Sequence, residues 1–383
     1  MRIAYFIDTE IPSPRANTVH VMRMCQAFSR AGHDVQLLCD KPAAESTGAD
    51  IWDRYGIEKR FHIERISLPN WVRKYGHRFG LMLSAKKKVQ KMGPCDVAYG
   101  RSLYALNYLK RKKPFIYESH REPDRLNLMY EKKILSHRNC LGLVVISQAL
   151  KNRYLEICPF LREKDITVLH DCADIDTTGA DTKAELVNAP GQTDVVIGYL
   201  GHLYPGKCME VMLPVAAKCP QYTFHVVGGT QEWVDHWRTA AEKEEIRNIR
   251  FYGFVNNSKV GEYYRAFDIC ILPFSKSVYV DKRKALDIGK WISPLKLFEA
   301  MAYEKAILVS RIPTIEEVMT DREDALLADP DNIDEWVCKL NQLAEDPDMR
   351  KRLGQNAREK LEKDYTWQKR AERIIDIIEG KKQ

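Results

Sequence analysis

Twice along this chain, short apolar runs alternate with helix-length amphipathic stretches, and that rhythm leaves few folds open. In the first half the apolar runs are residues 3–7, 35–39, 97–99, 115–117 and 143–146. Between the first two, residues 19–30 carry apolar side chains at helical spacing, and Gly32 is placed to stop the helix. In the second half the runs are 195–200, 224–227, 249–251, 269–272 and 306–309. Strands separated by helices pair in parallel, with the crossover helices covering both faces of the sheet. The chain therefore reads as α/β, with two Rossmann-like, doubly wound domains of similar size. Its 383 residues fit that count, since a domain takes roughly 100–200. Residues 177–193, with Gly179, Pro190 and Gly191, read as a linker. Two such domains place a ligand in the cleft between them, where strand carboxyl ends and helix N-termini point.

Composition excludes several classes. Hydrophobic residues are 45% and charged residues 30%, an ordinary globular balance. No segment approaches the roughly 18 uninterrupted apolar residues of a membrane span. The opening run 1–7 is shorter than a signal peptide, and Asp8 and Glu10 follow it, so the expected compartment is the cytoplasm. The ten cysteines form no CxxC pair and the histidines no HExxH, so no zinc site is expected and the cysteines read as buried thiols.

The net charge is +7 and is unevenly spread. Between Trp71 and Met92 lie Arg73, Lys74, Arg78, Lys86, Lys87, Lys88 and Lys91, with no acid among them. With Trp71, Phe79, Leu81, Met82 and Leu83 these cations suit an amphipathic helix that docks on an anionic membrane surface. A solvated basic face is the plainer alternative. No nucleic-acid-binding module is recognisable.

Two segments carry chemistry. In Ser293-Pro294-Leu295-Lys296-Leu297-Phe298-Glu299, Ser293 suits an N-cap and Pro294 the first helical position. The N–H groups that follow, with the positive end of the helix dipole, suit a diphosphate. Glu299, further along, could accept from both ribose hydroxyls. In Gly198-Tyr199-Leu200-Gly201-His202-Leu203-Tyr204-Pro205-Gly206-Lys207, an apolar strand runs into a glycine-bearing turn with two potentially cationic side chains. A departing diphosphate needs positive charge placed where its own charge develops.

Together these segments resemble the family 4 retaining glycosyltransferases of the GT-B fold, and the resemblance extends over nearly the whole chain. Gly201-His202-Leu203 to Lys207 resembles the family's phosphate-binding turn. Phe251-Tyr252-Gly253-Phe254-Val255 resembles its base-reading segment, and Asp268-Ile269-Cys270-Ile271-Leu272-Pro273 its strand ending in proline. Glu118-Ser119-His120 is similar to the acceptor-domain histidine motif, and residues 168–174 to the hinge strand. The resemblance implies an acceptor-binding domain over 1–178, a nucleotide-sugar-binding domain over 179–365, and a helix over 366–383 that returns to the first domain. It implies His120, His202 and Lys207 as catalytic contacts. Donor contacts would come from Ala16, Asn17, Gly201, Phe254, Val255, Pro294, Leu295, Lys296 and Glu299. The donor is a nucleotide-diphosphate sugar, and the acceptor a glycan or lipid-linked hydroxyl of surface polysaccharide or glycolipid synthesis, reached from the inner face of the membrane. Neither a metal nor a cofactor is expected: helix dipole and side-chain cations stand in for Mg²⁺. Three DxD triplets, at Asp174–Asp176, Asp329–Asp331 and Asp346–Asp348, read as chance in loop contexts.

Three positions depart from the family pattern. Trp291 stands eight residues before Glu299, where a first glutamate is usual. His202 replaces an arginine, so its charge is conditional: a bound diphosphate favours the protonated ring and burial opposes it. The first β–α loop, 11–18, lacks a glycine pair, so backbone contact with the donor is expected near Ala16 and Asn17 instead. Two rival functions remain: a nucleotide-sugar 2-epimerase, and a non-catalytic GT-B subunit that binds a partner enzyme.

Overall fold

The computed structural model describes residues 1–13, 15–42, 50–69, 77–176, 181–188, 191–277 and 289–380. The chain divides into two compact units. The first is Met1–His170 with Trp367–Gln383, and the second is Asp171–Thr366. The division falls inside the hinge-like run 168–174, upstream of the expected 178/179 boundary.

The first unit holds a seven-stranded sheet: β1 (Arg2–Glu10), β2 (Asp34–Asp40), β3 (His62–Ile66), β4 (Val97–Gly100), β5 (Phe115–Ser119), β6 (Cys140–Val145) and β7 (Ile166–Val168). Their order is β3-β2-β1-β4-β5-β6-β7, and every pairing is parallel. Chain order reverses between β1 and β4, which makes the carboxyl ends of those two strands the topological switch point. Strand β5 is buried along its whole length, as a parallel strand covered on both faces must be. The C-terminal helix Trp367–Ile378 packs on helix α1 (Ala16–Arg30) of this unit. Two edge strands, β3 and β7, were not expected. Each is short and only partly buried, so neither has the apolar run that announces a central strand.

The second unit has six parallel strands: β8 (Val196–Leu200), β9 (Thr223–Val227), β10 (Ile249–Gly253), β11 (Ile269–Leu272), β12 (Ala306–Ser310) and β13 (Leu326–Ala328). The order is β10-β9-β8-β11-β12-β13, with the switch between β8 and β11. The expected linker is in part a packed segment of this unit. Ala184 N–H donates to Glu262 C=O at 3.0 Å, and Asn188 Oδ1 lies 2.9 Å from His225 Nε2.

Of the six candidate basic residues 73, 74, 86, 87, 88 and 91, four are described. Arg73 and Lys74 lie outside the described residues. A helix spans His77–Lys91. On it Lys86 and Lys91 are exposed and Lys87 is half-buried, but Lys88 is 0% exposed. Its ammonium donates to Ile7 C=O at 2.6 Å and Asp8 Oδ1 at 3.1 Å, and sits 3.0 Å from Asp40 Oδ1. Lys88 is therefore not a surface cation. It is the shared counter-ion of two acids at the ends of β1 and β2, because two carboxylates that close cannot both stay charged and buried without one. All ten cysteines are thiols, and all but Cys140 and Cys338 are buried.

Candidate active site

The site in the second unit forms at the β8/β11 switch point. Strand β8 ends in the turn 201–207, pinned from three sides. Tyr199 OH donates to His202 C=O at 2.7 Å, Trp237 Nε1–H to Leu203 C=O at 2.7 Å, and Gly206 N–H to Glu210 Oε1 at 2.8 Å. Gly201 has no room for a side chain: a Cβ there would lie 2.7 Å from Lys296 Cε and collide with its ammonium. The glycine thus lets the lysine of a distant helix reach the turn.

That helix spans Leu295–Ala302, with Pro294 at the N-cap and no side-chain cap. Here the structure corrects the expected capping. Ser293 Oγ instead accepts the Asp171 N–H at 2.8 Å, and Pro294 sits one position earlier than expected. The helix N-terminus keeps its backbone donors uncapped by a side chain, which suits an anion.

Two lysines converge on one aromatic ring. Lys207 Nζ lies 5.6 Å from the centroid of Phe274 and 5.4 Å from that of Tyr204. Lys296 Nζ lies 5.7 Å from Phe274, 4.3 Å from the Tyr199 ring, and donates to Tyr199 OH at 2.6 Å. Lys207 is only 7% exposed, and among the described residues neither lysine has an ion-pair partner. Burial pulls the Lys207 ammonium down to about 7, with the Lys296 charge adding to it. Burial likewise lowers Lys296 to about 8. Burying two cations together is costly unless an anion joins them. The sequence pointed to the N–H groups at this helix start for the diphosphate; the Lys296 side chain joins them.

His202 is brought to the same place, its ring stacked with Tyr204 at 5.6 Å. Burial takes it down to about 4, and the charges of Lys296 and Lys207 push the same way. Burial therefore prevails and the imidazole is neutral. Glu299 accepts from Tyr264 OH at 3.0 Å, and Tyr264 is itself stacked on Tyr303 at 5.3 Å. The carboxylate is so held in one orientation on the helix that carries Lys296. Phe254 and Val255 follow β10, with Phe254 exposed and Val255 half-buried. Two DxD triplets have structural duties: Asp329 Oδ1 accepts the Asp331 N–H at 2.9 Å, and Asp346 Oδ1 caps the helix Pro347–Asp364 through Met349 N–H at 2.8 Å. In the first triplet Asp176 pairs with Arg265.

The other candidate residues belong to the first unit. His120 follows β5, with Nε2 against Glu118 Oε1. Glu118 is fully buried, and Oε1 also lies 2.9 Å from His20 Nε2 and 3.2 Å from Arg370 Nη2. Tyr99 OH donates to Oε2. Burial alone would raise the Glu118 carboxyl, but Arg370, His20 and His120 outweigh it and hold it well below the usual range. His120 falls to about 3, through burial first and the Arg101 charge second. A neutral ring whose Nε2–H faces a carboxylate keeps its Nδ1 lone pair as an acceptor. Asn17 Nδ2 donates to Thr9 Oγ1 at 3.1 Å, and Ala16 opens helix α1, whose N-cap Arg15 makes no side-chain cap. Arg370 was not anticipated, because 252 positions separate it from Glu118.

Residues 183–360 match the family described as Glycosyl transferases group 1, and residues 18–177 match Glycosyltransferase Family 4. This chain belongs to the family 4, group 1 glycosyltransferases. It is 25% identical over 265 residues to the Methanocaldococcus jannaschii glycosyltransferase MJ1069, covering 67% of this chain and 63% of that one. Over 124 residues it is 26% identical to a Bacillus subtilis protein named for a teichuronic acid biosynthesis glycosyltransferase, TuaH, covering 32% of this chain and 28% of TuaH. The matched segments thus span less than two thirds of either relative. Anabaena Alr3699/HepE, solved with UDP, superimposes with a TM-score of 0.72 at 16% identity, over 99% of this glycosyltransferase and 100% of HepE. The shared fold is GT-B, two parallel-sheet α/β units.

Proposed function

We propose that this glycosyltransferase moves a sugar from a nucleotide-diphosphate donor to an acceptor hydroxyl, with retention at the anomeric carbon and without a metal. The observation that carries the reading is the buried Lys207 and half-buried Lys296, with no ion-pair partner among the described residues, beside the uncapped helix start and Glu299. An anion with two charges satisfies all of them, and a nucleoside diphosphate offers a ribose to Glu299 as well. The HepE structures hold UDP and UDP-glucose, which supports the same ligand class. Lys207 and Lys296 would stabilise the leaving diphosphate, with His202 donating one hydrogen bond. Among the described residues no helix is long and apolar enough to cross a membrane. We place the chain at the inner membrane face in surface polysaccharide or glycolipid synthesis, the theme of the TuaH name. The test is the product: proton NMR of the new anomeric centre, formed in excess EDTA, should show the donor's configuration. An inverted product, or an epimerised nucleotide sugar with no acceptor consumed, would reject this mechanism.

Lysine titration gives a pH signature. Diphosphate binding stabilises both ammonium groups and so raises their lowered pKa values. Binding then takes up protons wherever the lysines have lost them, which begins near about 7 for Lys207 and about 8 for Lys296. Affinity for the nucleoside diphosphate should be level below pH 7. It should then fall as pH rises, by up to about tenfold per unit for each proton taken up. Calorimetric titrations in buffers of different ionisation enthalpy would count those protons; a flat profile from pH 6 to 9 would remove the lysines from the phosphate site.

The membrane reading now rests on Lys86, Lys87 and Lys91 with exposed apolar side chains nearby. Phe79 is 57% exposed, and Leu126 and Met129 on the helix Arg125–Leu135 are 51% and 56%. Arg78 Nη2 reaches Asp124 Oδ1 at 3.3 Å, joining the two helix starts. Replacing Lys86, Lys87 and Lys91 by Gln should weaken binding to phosphatidylserine liposomes by about a hundredfold, at roughly 1 kcal/mol per cation. Co-sedimentation measures it, and unchanged binding would leave a solvated face.

A further inference from the structure

We propose that Arg101, at the β1/β4 switch point of the first unit, receives the carboxylate or phosphate of an acidic sugar substrate. The inference rests on the reading of this chain as a glycosyltransferase and names a chemical class for its substrate. Strand β4 ends at Gly100, whose φ of +135° favours glycine and where a Cβ would collide with Phe6 C=O. The next two N–H groups, of Arg101 and Ser102, both donate to Phe6 C=O, at 2.9 and 3.2 Å. The backbone of Arg101 is thereby fixed at the place where open parallel sheets bind ligands.

What singles it out is a missing partner. Arg101 Nη1 is buried and has no hydrogen bond, and the side chain makes no ion pair with any described residue. The neighbouring strand-end charges are all matched. Asp8 and Asp40 share Lys88, Asp8 also accepts from Ser102 Oγ at 2.7 Å, and Glu118 has Arg370. A guanidinium nitrogen left buried without an acceptor is uncommon in a folded protein. Planar, forked donors fit a carboxylate or phosphate better than any other group. On the other side of the switch point, Asn17 Oδ1 is likewise buried without a partner, and suits a sugar hydroxyl. The charge of Arg101 is felt by His120, whose ring it helps keep neutral, so the cation and the candidate sugar contact belong to one locality. The diphosphate does not require this arginine, since Lys207 and Lys296 serve it.

The full chain with saturating UDP is titrated, by saturation-transfer NMR, with methyl glucuronide and its neutral counterpart methyl glucoside. A second arm compares UDP-glucuronate with UDP-glucose. The expected result is a preference for the acid of about tenfold or more in one arm, erased in Arg101→Gln and partly kept in Arg101→Lys. Its appearance in the first arm puts the acid on the acceptor, and in the second on the transferred sugar. The proposal is overturned if neither arm shows a preference that depends on Arg101. It is also overturned if Arg101→Gln weakens UDP as much as the acid, since the cation would then serve the diphosphate. Should wild type bind no UDP, the glycosyltransferase reading fails instead, and methyl glucuronide titrated alone still reports on Arg101. Should Arg101→Gln fail to fold, as circular dichroism would show, Arg101→Met and Arg101→Lys carry the comparison.

Discussion

Lys207→Ala should lower kcat by two to three decades and leave the fold as stable as before or more so. A cation preorganised at a leaving group contributes about 3 kcal/mol to the transition state. Lys207 meets the conditions for that value: it is buried, walled by Tyr204 and Phe274, and close enough to Lys296 for their charges to repel. The same repulsion is what separates a functional from a structural lysine. Removing a buried cation that has no acid partner among the described residues relieves the Lys296 charge beside it, so the melting temperature should hold or rise. A lysine kept for stability would do the opposite. Steady-state kinetics and a melting curve on one preparation decide it. Turnover within a factor of about ten of wild type, or a marked loss of stability, would take Lys207 out of the phosphate site.

Lys88→Met, by contrast, should destabilise the protein strongly while leaving the proposed nucleotide site of the second unit intact. Breaking a buried ion pair from one side costs about 3–5 kcal/mol, because the partner charge stays behind. Here two carboxylates stay behind, Asp8 and Asp40, and Ile7 C=O loses a donor at 2.6 Å. Burial would lower the Lys88 ammonium, but Asp8 and Asp40 together hold it above its ordinary value, so the group is charged in the folded state. The melting transition of the first unit should fall by roughly 10 °C, at about 2–4 °C per kcal/mol for a unit of this size. Lys86→Met, one turn face away and exposed, should stay within about 0.5 kcal/mol of wild type. Adding Asp40→Asn to Lys88→Met should recover part of the loss. Scanning calorimetry checks all three, and equal transitions for Lys86→Met and Lys88→Met would show that burial of Lys88 carries no energetic weight.

Lys88 also shows where the sequence is silent. Its helix reads as a row of cations, and only the fold reveals that Ser84, Ala85 and Lys88 share the inward side. The acids it serves lie at the ends of two strands, 80 and 48 positions upstream, and no local pattern links them. Central strands were legible because burial on both faces demands unbroken apolar runs, as in Ile269–Leu272 and Ala306–Ser310. Edge strands such as His62–Ile66 were not, since half of such a strand is free to be polar. In the site, Glu299, His202 and Lys207 were legible from spacing relative to a helix start or a glycine turn. The Lys296 side chain, Tyr264 and Phe274 were not, because their roles arise from packing between segments far apart in the chain. Ser293 misled for a related reason: its hydroxyl is a good cap locally, but the Asp171 N–H claims it.

In the proposed function the lysine pair and Glu299 form a nucleoside diphosphate site that needs no metal. Isothermal titration of the full chain with UDP, GDP and ADP in excess EDTA tests it directly, in wild type, Lys207→Ala and Glu299→Ala. Wild type should bind at least one of the three saturably. Each variant should lose about tenfold or more in affinity, the scale of a hydrogen bond or ion pair to a charged group. Absence of binding by wild type, binding that appears only when Mg²⁺ is added, or equal affinities in all three proteins would contradict it.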